Sequence, residues 1–182
     1  MNSSSLTTGL QHKIDLVHQS LCKLVSWFTL FMVLITFLIV VLRYGFNLGW
    51  IAMQESVMYL HATVFLLGAA HTLKVNEHVR VDIFYRQMSQ KKKAWVDTLG
   101  TLLLLMPVNC FILALSFDYV IKSWQILESS PQAGGLAFVF VLKTLILLFA
   151  VSMNLQGLAE LIRNILIIKH SQKIDEADKG EV

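Results

Sequence analysis

The feature that most constrains this chain is a set of four long segments with almost no charged side chains. Two of them are wholly uncharged, over 19 and 20 residues. An α-helix needs about 20 mainly apolar residues to cross the hydrocarbon core of a bilayer. The four segments therefore predict four membrane-spanning helices. They are residues 24–42, 56–73, 98–117 and 136–159.

Composition supports the same conclusion. The chain has 182 residues, of which 55% are hydrophobic and 15% are charged, whereas soluble domains carry roughly 25% charged residues. We predict an all-α integral membrane protein with four transmembrane helices, at about residues 20–43, 50–73, 95–121 and 136–168. Residues 1–170 would form a single transmembrane domain, followed by a polar cytoplasmic tail, 171–182. Within this tail we expect KIDEADKGEV, residues 173–182, to be disordered because it is poor in apolar residues.

The segment before the first span has its own pattern. Apolar residues recur at spacings of three or four, while Gln11, Lys13 and Asp15 lie off that stripe. This pattern predicts a short amphipathic helix that lies on the membrane and leads into the first span. The apolar positions are Leu6, Leu10, Ile14, Val17 and Leu21.

The distribution of basic residues predicts the orientation. Twelve Lys and Arg residues flank the spans on the side that carries both termini and the 74–94 connection, and two, Arg43 and Lys122, flank them on the other side. Lys and Arg accumulate in the short cytoplasmic segments of membrane proteins. Both termini are therefore predicted to be cytoplasmic, and residues 43–50 and 122–135 to lie on the opposite side of the membrane.

Ionisable side chains at membrane depth are costly, so each is a candidate functional residue. Glu55 and Arg43 fall near the same non-cytoplasmic surface, and we predict an ion pair that joins the first two spans. Lys143 lies seven residues into the fourth span. It can extend towards the surface or pair with Asp118, Glu128 or Glu55.

Three further residues inside the spans carry predictions. His61 falls near the middle of the bilayer, where we expect it to bond to a neighbouring helix. Pro107 removes one backbone hydrogen bond and predicts a kink, with Asn109 and Thr101 available to the freed carbonyl. Gly68, in a Gly-Ala-Ala sequence, predicts close approach of another helix.

Cofactor chemistry has little support in the sequence. A bis-histidine haem needs a second histidine at the depth of His61, and no other histidine falls there. The two cysteines do not form a Cys-x-x-Cys motif. We therefore predict no metal site, no cofactor and no enzymatic activity, and we set aside a membrane-bound redox enzyme.

Charge is concentrated in residues 71–84, HTLKVNEHVRVDIF, where the second span leaves the membrane. We interpret this stretch as a topology anchor at the cytoplasmic surface, where basic residues attract anionic lipid. We also expect it to brace the exit of the second span against lipid phosphates or a partner's carboxylates, which arginine binds in a bidentate manner. The predicted brace residues are Lys74, His78, Arg80, Asp82, Lys91, Lys92 and Lys93.

The order of these residues resembles the DctQ-like family, the small membrane subunit of tripartite ATP-independent periplasmic (TRAP) transporters. The resemblance covers roughly residues 20–168 and includes ESSPQAGGL, Lys143 and LQGLAELIR. One departure is Gln54-Glu55, where the family often has an acidic pair. The other matching residues are Arg43-Tyr44, Phe46, Trp50, Tyr59-Leu60, Gly68-Ala69-Ala70, Lys74 and His78-Val79-Arg80-Val81-Asp82.

The resemblance implies a scaffold subunit of a sodium-coupled transporter that imports an organic acid. A periplasmic binding protein would deliver the acid to a larger, elevator-type subunit, which would hold the substrate and sodium sites. This chain would brace the larger subunit and contribute to docking of the binding protein. The alternative is an independent four-helix channel or small exporter. The expected subunit or helix interface residues are Arg43, Tyr44, Trp50, Glu55, Tyr59, Gly68 and Lys143.

Overall fold

A computed structural model describes residues 3–75, 77 and 82–179. Within that part of the chain the secondary structure is helical, with no strand. The elements are α1 (Ser3–Phe46), α2 (Ile51–Lys74), α3 (Asp82–Tyr85), α4 (Gln90–Gly100), a π-helical turn (Thr101–Leu105), α5 (Met106–Gln125) and α6 (Val139–Lys179).

Among the described residues, four helical segments are long and apolar enough to cross a membrane, which confirms the predicted fold class. They are Gln11–Phe46, Ile51–Lys74, Gln90–Gln125 and Val139–Ser171. We call the end of the bundle that carries residues 3–20 and 82–90 the terminal end. The opposite end, with residues 47–50 and 126–138, is the loop end.

Two helices are longer than the sequence suggested. The amphipathic N-terminal segment is helical, and it continues without a break into the first span as one helix of 44 residues. The α6 helix runs to Lys179, so the disorder predicted for residues 173–182 is not found between 173 and 179, and residues 180–182 lie outside the described residues. No proline or glycine occurs between residues 158 and 179, and the Ala, Glu, Leu and Lys residues there favour helix.

The third span contains the predicted irregularity. Pro107 cannot donate a backbone hydrogen bond, and the helix widens into the π-helical turn immediately before it. Asn109, which is buried, donates from Nδ2 to the carbonyl oxygen of Leu105 at 2.8 Å. This bond does not repair the backbone at Pro107, because the carbonyl that a proline leaves free lies four residues before it, at Leu103. The predicted participation of Asn109 and Thr101 in satisfying that carbonyl is therefore not found among the described residues.

The α6 helix is the centre of the bundle. It contacts α1, α2, α4, the π-helical turn and α5, while α1 and α2 also pack against each other. A Cβ atom added at Gly157 would lie 2.8 Å from Leu105 Cδ2 and 3.4 Å from Thr101 Cγ2. Gly157 therefore permits the close approach of α6 and the third span, as small residues commonly do in membrane bundles.

Gly68 does not play that part within the chain. A Cβ atom added there would meet nothing within 4 Å. Within this chain, the close approach predicted for the Gly68-Ala69-Ala70 sequence is therefore not made at Gly68, because no described residue packs against that position. The neighbouring Ala70 is instead the fully buried residue of α2.

Candidate functional site

A carboxylate from α2 holds the long connection at the loop end. Glu55 lies in the second turn of α2. Its Oε1 accepts a hydrogen bond from Ser130 Oγ at 2.5 Å, and its Oε2 accepts one from the backbone N–H of Leu136 at 2.6 Å. Ser130 and Leu136 are also joined directly, Ser130 N donating to the carbonyl oxygen of Leu136 at 2.9 Å. Glu55 therefore holds Ser130 and Leu136 of the 126–138 loop close together.

Glycine is required where this loop passes the carboxylate. A Cβ atom added at Gly135 would lie 2.5 Å from Ser130 Oγ and 2.8 Å from Glu55 Oε1. The adjacent Gly134 has a φ of +80°, which side chains rarely adopt. The two glycines of ESSPQAGGL thus let the chain turn tightly against the side chain of Glu55.

A second carboxylate ties the same loop to α6. Glu128 forms an ion pair with Lys143 and accepts a hydrogen bond from Ser123 Oγ at 2.6 Å. The Lys143 ammonium also lies 3.9 Å from the centroid of the Tyr119 ring. Of the three acids predicted as possible partners of Lys143, Glu128 is the one that forms the ion pair.

The partners of Glu128 keep it charged. The hydrogen bond from Lys143, followed by that from Ser123, lowers the pKa of Glu128 below its ordinary value. A group whose pKa is lowered on folding stabilises the fold above its ordinary pKa, and loses that contribution as the pH falls through the lowered value. The tie between the loop and α6 therefore persists at neutral and mildly acidic pH.

The predicted pair between Arg43 and Glu55 is not formed. Arg43 is exposed near the end of α1 and makes no ion pair with any described residue. Both carboxylate oxygens of Glu55 are instead bonded to the 126–138 loop. Tyr44 and Trp50, with 81% and 60% of their surface exposed, are also outside the bundle's own contacts. Their predicted roles at an interface stay predictions.

Tyr59 lies one turn further into α2 than Glu55. Its hydroxyl is buried and has no hydrogen-bond partner among the described residues. Its ring is half-buried, so it contributes to packing near the loop end. Its predicted role in an interface is untested.

A further polar cluster, which we call the terminal-end cluster, joins α1 to α6. Gln156 is fully buried; its Oε1 lies 2.7 Å from His18 Nδ1, and its Nε2 donates to Asp15 Oδ1 at 3.3 Å. Arg163 Nη2 lies 3.4 Å from Asp15 Oδ2, and Arg163 Nη1 lies 2.9 Å from Glu160 Oε1. The cluster is Asp15, His18, Gln156, Glu160 and Arg163.

Sequence reasoning did not select this cluster, although a signal was present. Gln156, Glu160 and Arg163 occupy positions i, i+4 and i+7 of α6 and so share one helix face. Asp15 and His18, at positions i and i+3, likewise share one face of α1. The spacing of apolar residues in α1 assigns Asp15 only to the polar side of a surface helix and makes no prediction for His18, so it does not predict their contact with α6.

The predicted brace is only partly described. Lys74 donates from Nζ to the backbone carbonyl oxygen of Asp15 at 3.2 Å, so it connects α2 with α1. His78 and Arg80 lie outside the described residues, as does the side chain of Asp82 at the start of α3. Their proposed contacts stay predictions.

The three consecutive lysines of the brace lie at the start of α4. Lys91 is half-buried and Lys92 is exposed. Lys93 lies 5.3 Å from the centroid of the Tyr85 ring, and the Tyr85 hydroxyl donates to Asp97 Oδ2 at 2.6 Å. The short connection before α4 is thus attached to that helix.

His61 does not bond to a neighbouring helix. It is exposed on α2, and its ring stacks on that of Phe65 with the centroids 6.3 Å apart. The predicted hydrogen bond within the bundle is therefore wrong, because this side of α2 faces outward. Among the described residues no three His, Cys, Asp or Glu side chains are grouped to hold a metal ion.

Comparison with known proteins agrees with this architecture. Residues 32–166 match the family described as tripartite ATP-independent periplasmic transporters, DctQ component. A TRAP transporter small permease protein of Haemophilus influenzae is 27% identical over 128 residues, which cover 68% of this chain and 76% of that protein. No solved structure matches the chain. The chain is a multi-pass inner-membrane protein, and it belongs to the DctQ family as the small membrane component of a TRAP transporter.

Proposed function

We propose that this chain is the fixed scaffold of a sodium-coupled TRAP transporter that imports an organic acid. The larger subunit would hold the substrate and the sodium ions and move them across the membrane. This chain would enlarge the static part of the complex. The observation that supports this role is that polar side chains tie the bundle together at both ends, through Glu55 and Glu128 at the loop end and through the terminal-end cluster.

Such hydrogen bonds and ion pairs suit a scaffold, because a subunit that moves across the membrane exerts force on the fixed subunit beside it. Charge-assisted hydrogen bonds are stronger than bonds between neutral groups. They hold α2, the 126–138 loop and α6 in one arrangement, so helices that meet mainly through apolar contacts are kept from sliding past each other.

The 126–138 loop also supports a role in docking the periplasmic binding protein. Hydrogen bonds of Glu55 and Glu128 fix the loop at two points. Ile126 and Leu127 leave 72% and 62% of their surface exposed. A surface held in its bound shape loses less conformational entropy on association. The loop would therefore offer a preformed apolar contact to the binding protein.

Orientation is part of this proposal, and it is supported by the basic residues. The terminal end would be cytoplasmic, with Lys91, Lys92 and Lys93 near anionic head groups, and the loop end would be periplasmic. In a background lacking Cys22 and Cys110, cysteines placed at the exposed Ser129 and Ser89 can be labelled in intact cells. We expect a membrane-impermeant thiol reagent to label Ser129→Cys alone. Labelling of Ser89→Cys alone would reverse the orientation.

The scaffold role is tested by reconstituting transport with and without this chain. We expect the larger subunit and the binding protein to support sodium-driven uptake only when this chain is present, and the two membrane subunits to co-purify in equal amounts. Full uptake without the chain would contradict the proposal. Solute flux through vesicles that contain this chain alone would instead favour the independent channel or small exporter.

A further inference from the structure

One face of α2 is open in the isolated chain. The structure describes every residue of this helix, and four of its residues are exposed. Their spacings of four, three and four place them in a single stripe along the helix. We call this set the α2 stripe: Gln54, Met58, His61 and Phe65.

The α2 stripe carries a polar side chain, His61, at a depth where lipid cannot satisfy its hydrogen bonds. His61 lies ten residues after Ile51, about 15 Å along the helix, which is half of a hydrocarbon core about 30 Å thick. Within the described part of the chain, the imidazole nitrogens of His61 have no hydrogen-bond partner, and its ring contact is with Phe65. An exposed imidazole at this depth is costly against acyl chains.

The outward faces of the other spans differ in chemistry. Between Trp27 and Val41 on α1, and between Leu102 and Phe117 on the third span, the exposed residues are apolar or carry only a small hydroxyl or thiol. The exposed residues of α6 between residues 141 and 165 are aliphatic. These faces suit lipid. By contrast, α2 is the least apolar of the four spans, although few of its residues are buried in the bundle.

Gly68 continues the α2 stripe by one turn. Because a Cβ atom added there would meet nothing within 4 Å, the backbone of α2 is accessible from outside the bundle at this point. Small residues at helix interfaces allow the backbones of two membrane helices to approach closely. The α2 stripe thus forms a surface that fits another transmembrane helix. It combines polar Gln54 and His61 with apolar Met58 and Phe65 and an open glycine.

We propose that the α2 stripe, extended by Gly68, is the face on which the large membrane subunit docks. A helix of that subunit would cross near Gly68 and bring a hydrogen-bonding side chain to His61. A water-soluble partner does not reach this depth, and acyl chains offer no hydrogen bond. The inference rests on the proposed scaffold role and specifies which surface of the chain performs it.

Site-specific photo-cross-linking tests the assignment in the assembled transporter. The photo-reactive amino acid benzoylphenylalanine would replace Met58 or Phe65 on the α2 stripe, and Phe37 or Phe111 as exposed controls on α1 and α5, which are 67% and 64% exposed. We expect adducts with the large subunit from the two stripe positions and none from the controls.

The other outcomes separate the two proposals. Adducts with the large subunit from Phe37 or Phe111 alone would overturn the α2 assignment and leave the scaffold role intact. A cross-linked pair of this chain from Met58 or Phe65 would assign the stripe to a second copy. Failure of the two subunits to co-purify, with no adduct from any position, would overturn the scaffold role itself.

Two substitutions measure the contribution of the stripe. Losing one interhelical hydrogen bond in a membrane weakens association by roughly 3- to 20-fold, and we expect this for His61→Leu. Gly68→Leu should weaken association more, because its side chain fills the proposed contact, while the isolated chain has room for it. Phe111→Leu is the control. Wild-type affinity for the large subunit in both stripe variants would overturn the proposal.

Discussion

Replacing Gln156 by alanine is expected to destabilise the bundle by about 2–4 kcal/mol, because it leaves a cavity and two polar groups without their partner. Gln156 is the fully buried residue that joins His18 to Asp15, and with them α6 to α1. The loss can be measured as the shift in the free energy of unfolding in mixed micelles.

Two further variants separate the causes. Gln156→Met keeps most of the side-chain volume but forms no comparable hydrogen bonds, so it should lose about half as much stability as Gln156→Ala. Gln125→Ala removes an exposed glutamine at the end of α5, and it should change stability by less than about 0.5 kcal/mol. Equal stability of Gln156→Ala and the Gln125 control would show that the terminal-end cluster does not hold α1 against α6.

Replacing Glu55 by alanine is expected to reduce reconstituted transport by about tenfold or more, since charge-assisted bonds to two separate points of the loop are lost together. The helices should still form, because the carboxylate of Glu55 bonds to residues of the loop and not to the backbone of α2. The 126–138 loop should become accessible to protease, and the binding protein should dock less tightly.

The structure also ranks the related variants. Glu55→Gln retains an acceptor for the Leu136 N–H and should lose less activity than Glu55→Ala. Gly135→Val should resemble Glu55→Ala, because its side chain would displace Ser130 and the carboxylate, whereas Gly49→Ala has open space and serves as the control. Arg43→Gln should not resemble Glu55→Ala. Normal transport by Glu55→Ala with a protease-resistant loop would refute this role for Glu55.

The sequence predicted the membrane class and the number of spans, and the reason is energetic. Four long segments with almost no charge are most stable in the hydrocarbon core of a membrane. Within that core the backbone must form its own hydrogen bonds, and helices do this within each segment. Pro107 likewise predicted the irregularity of the third span, since a missing N–H disturbs the helix whatever surrounds it. For Lys143 the sequence offered three acidic partners, of which Glu128 is the nearest along the chain, and extension towards the surface as the alternative.

Only the tertiary structure decided which side of each helix meets another. Apolar residues surround most of the circumference of the spans, so no stripe in the sequence shows how a helix is rotated about its axis. Rotation determines that Gly157 rather than Gly68 lies at a close helix contact, and that His61 faces outward. It also determines that Glu55 reaches Ser130, 75 residues away, and that Gln156 reaches His18, 138 residues away. Partners so distant along the chain are selected by the packing of α1, α2 and α6 in three dimensions, which the local sequence around each residue does not encode.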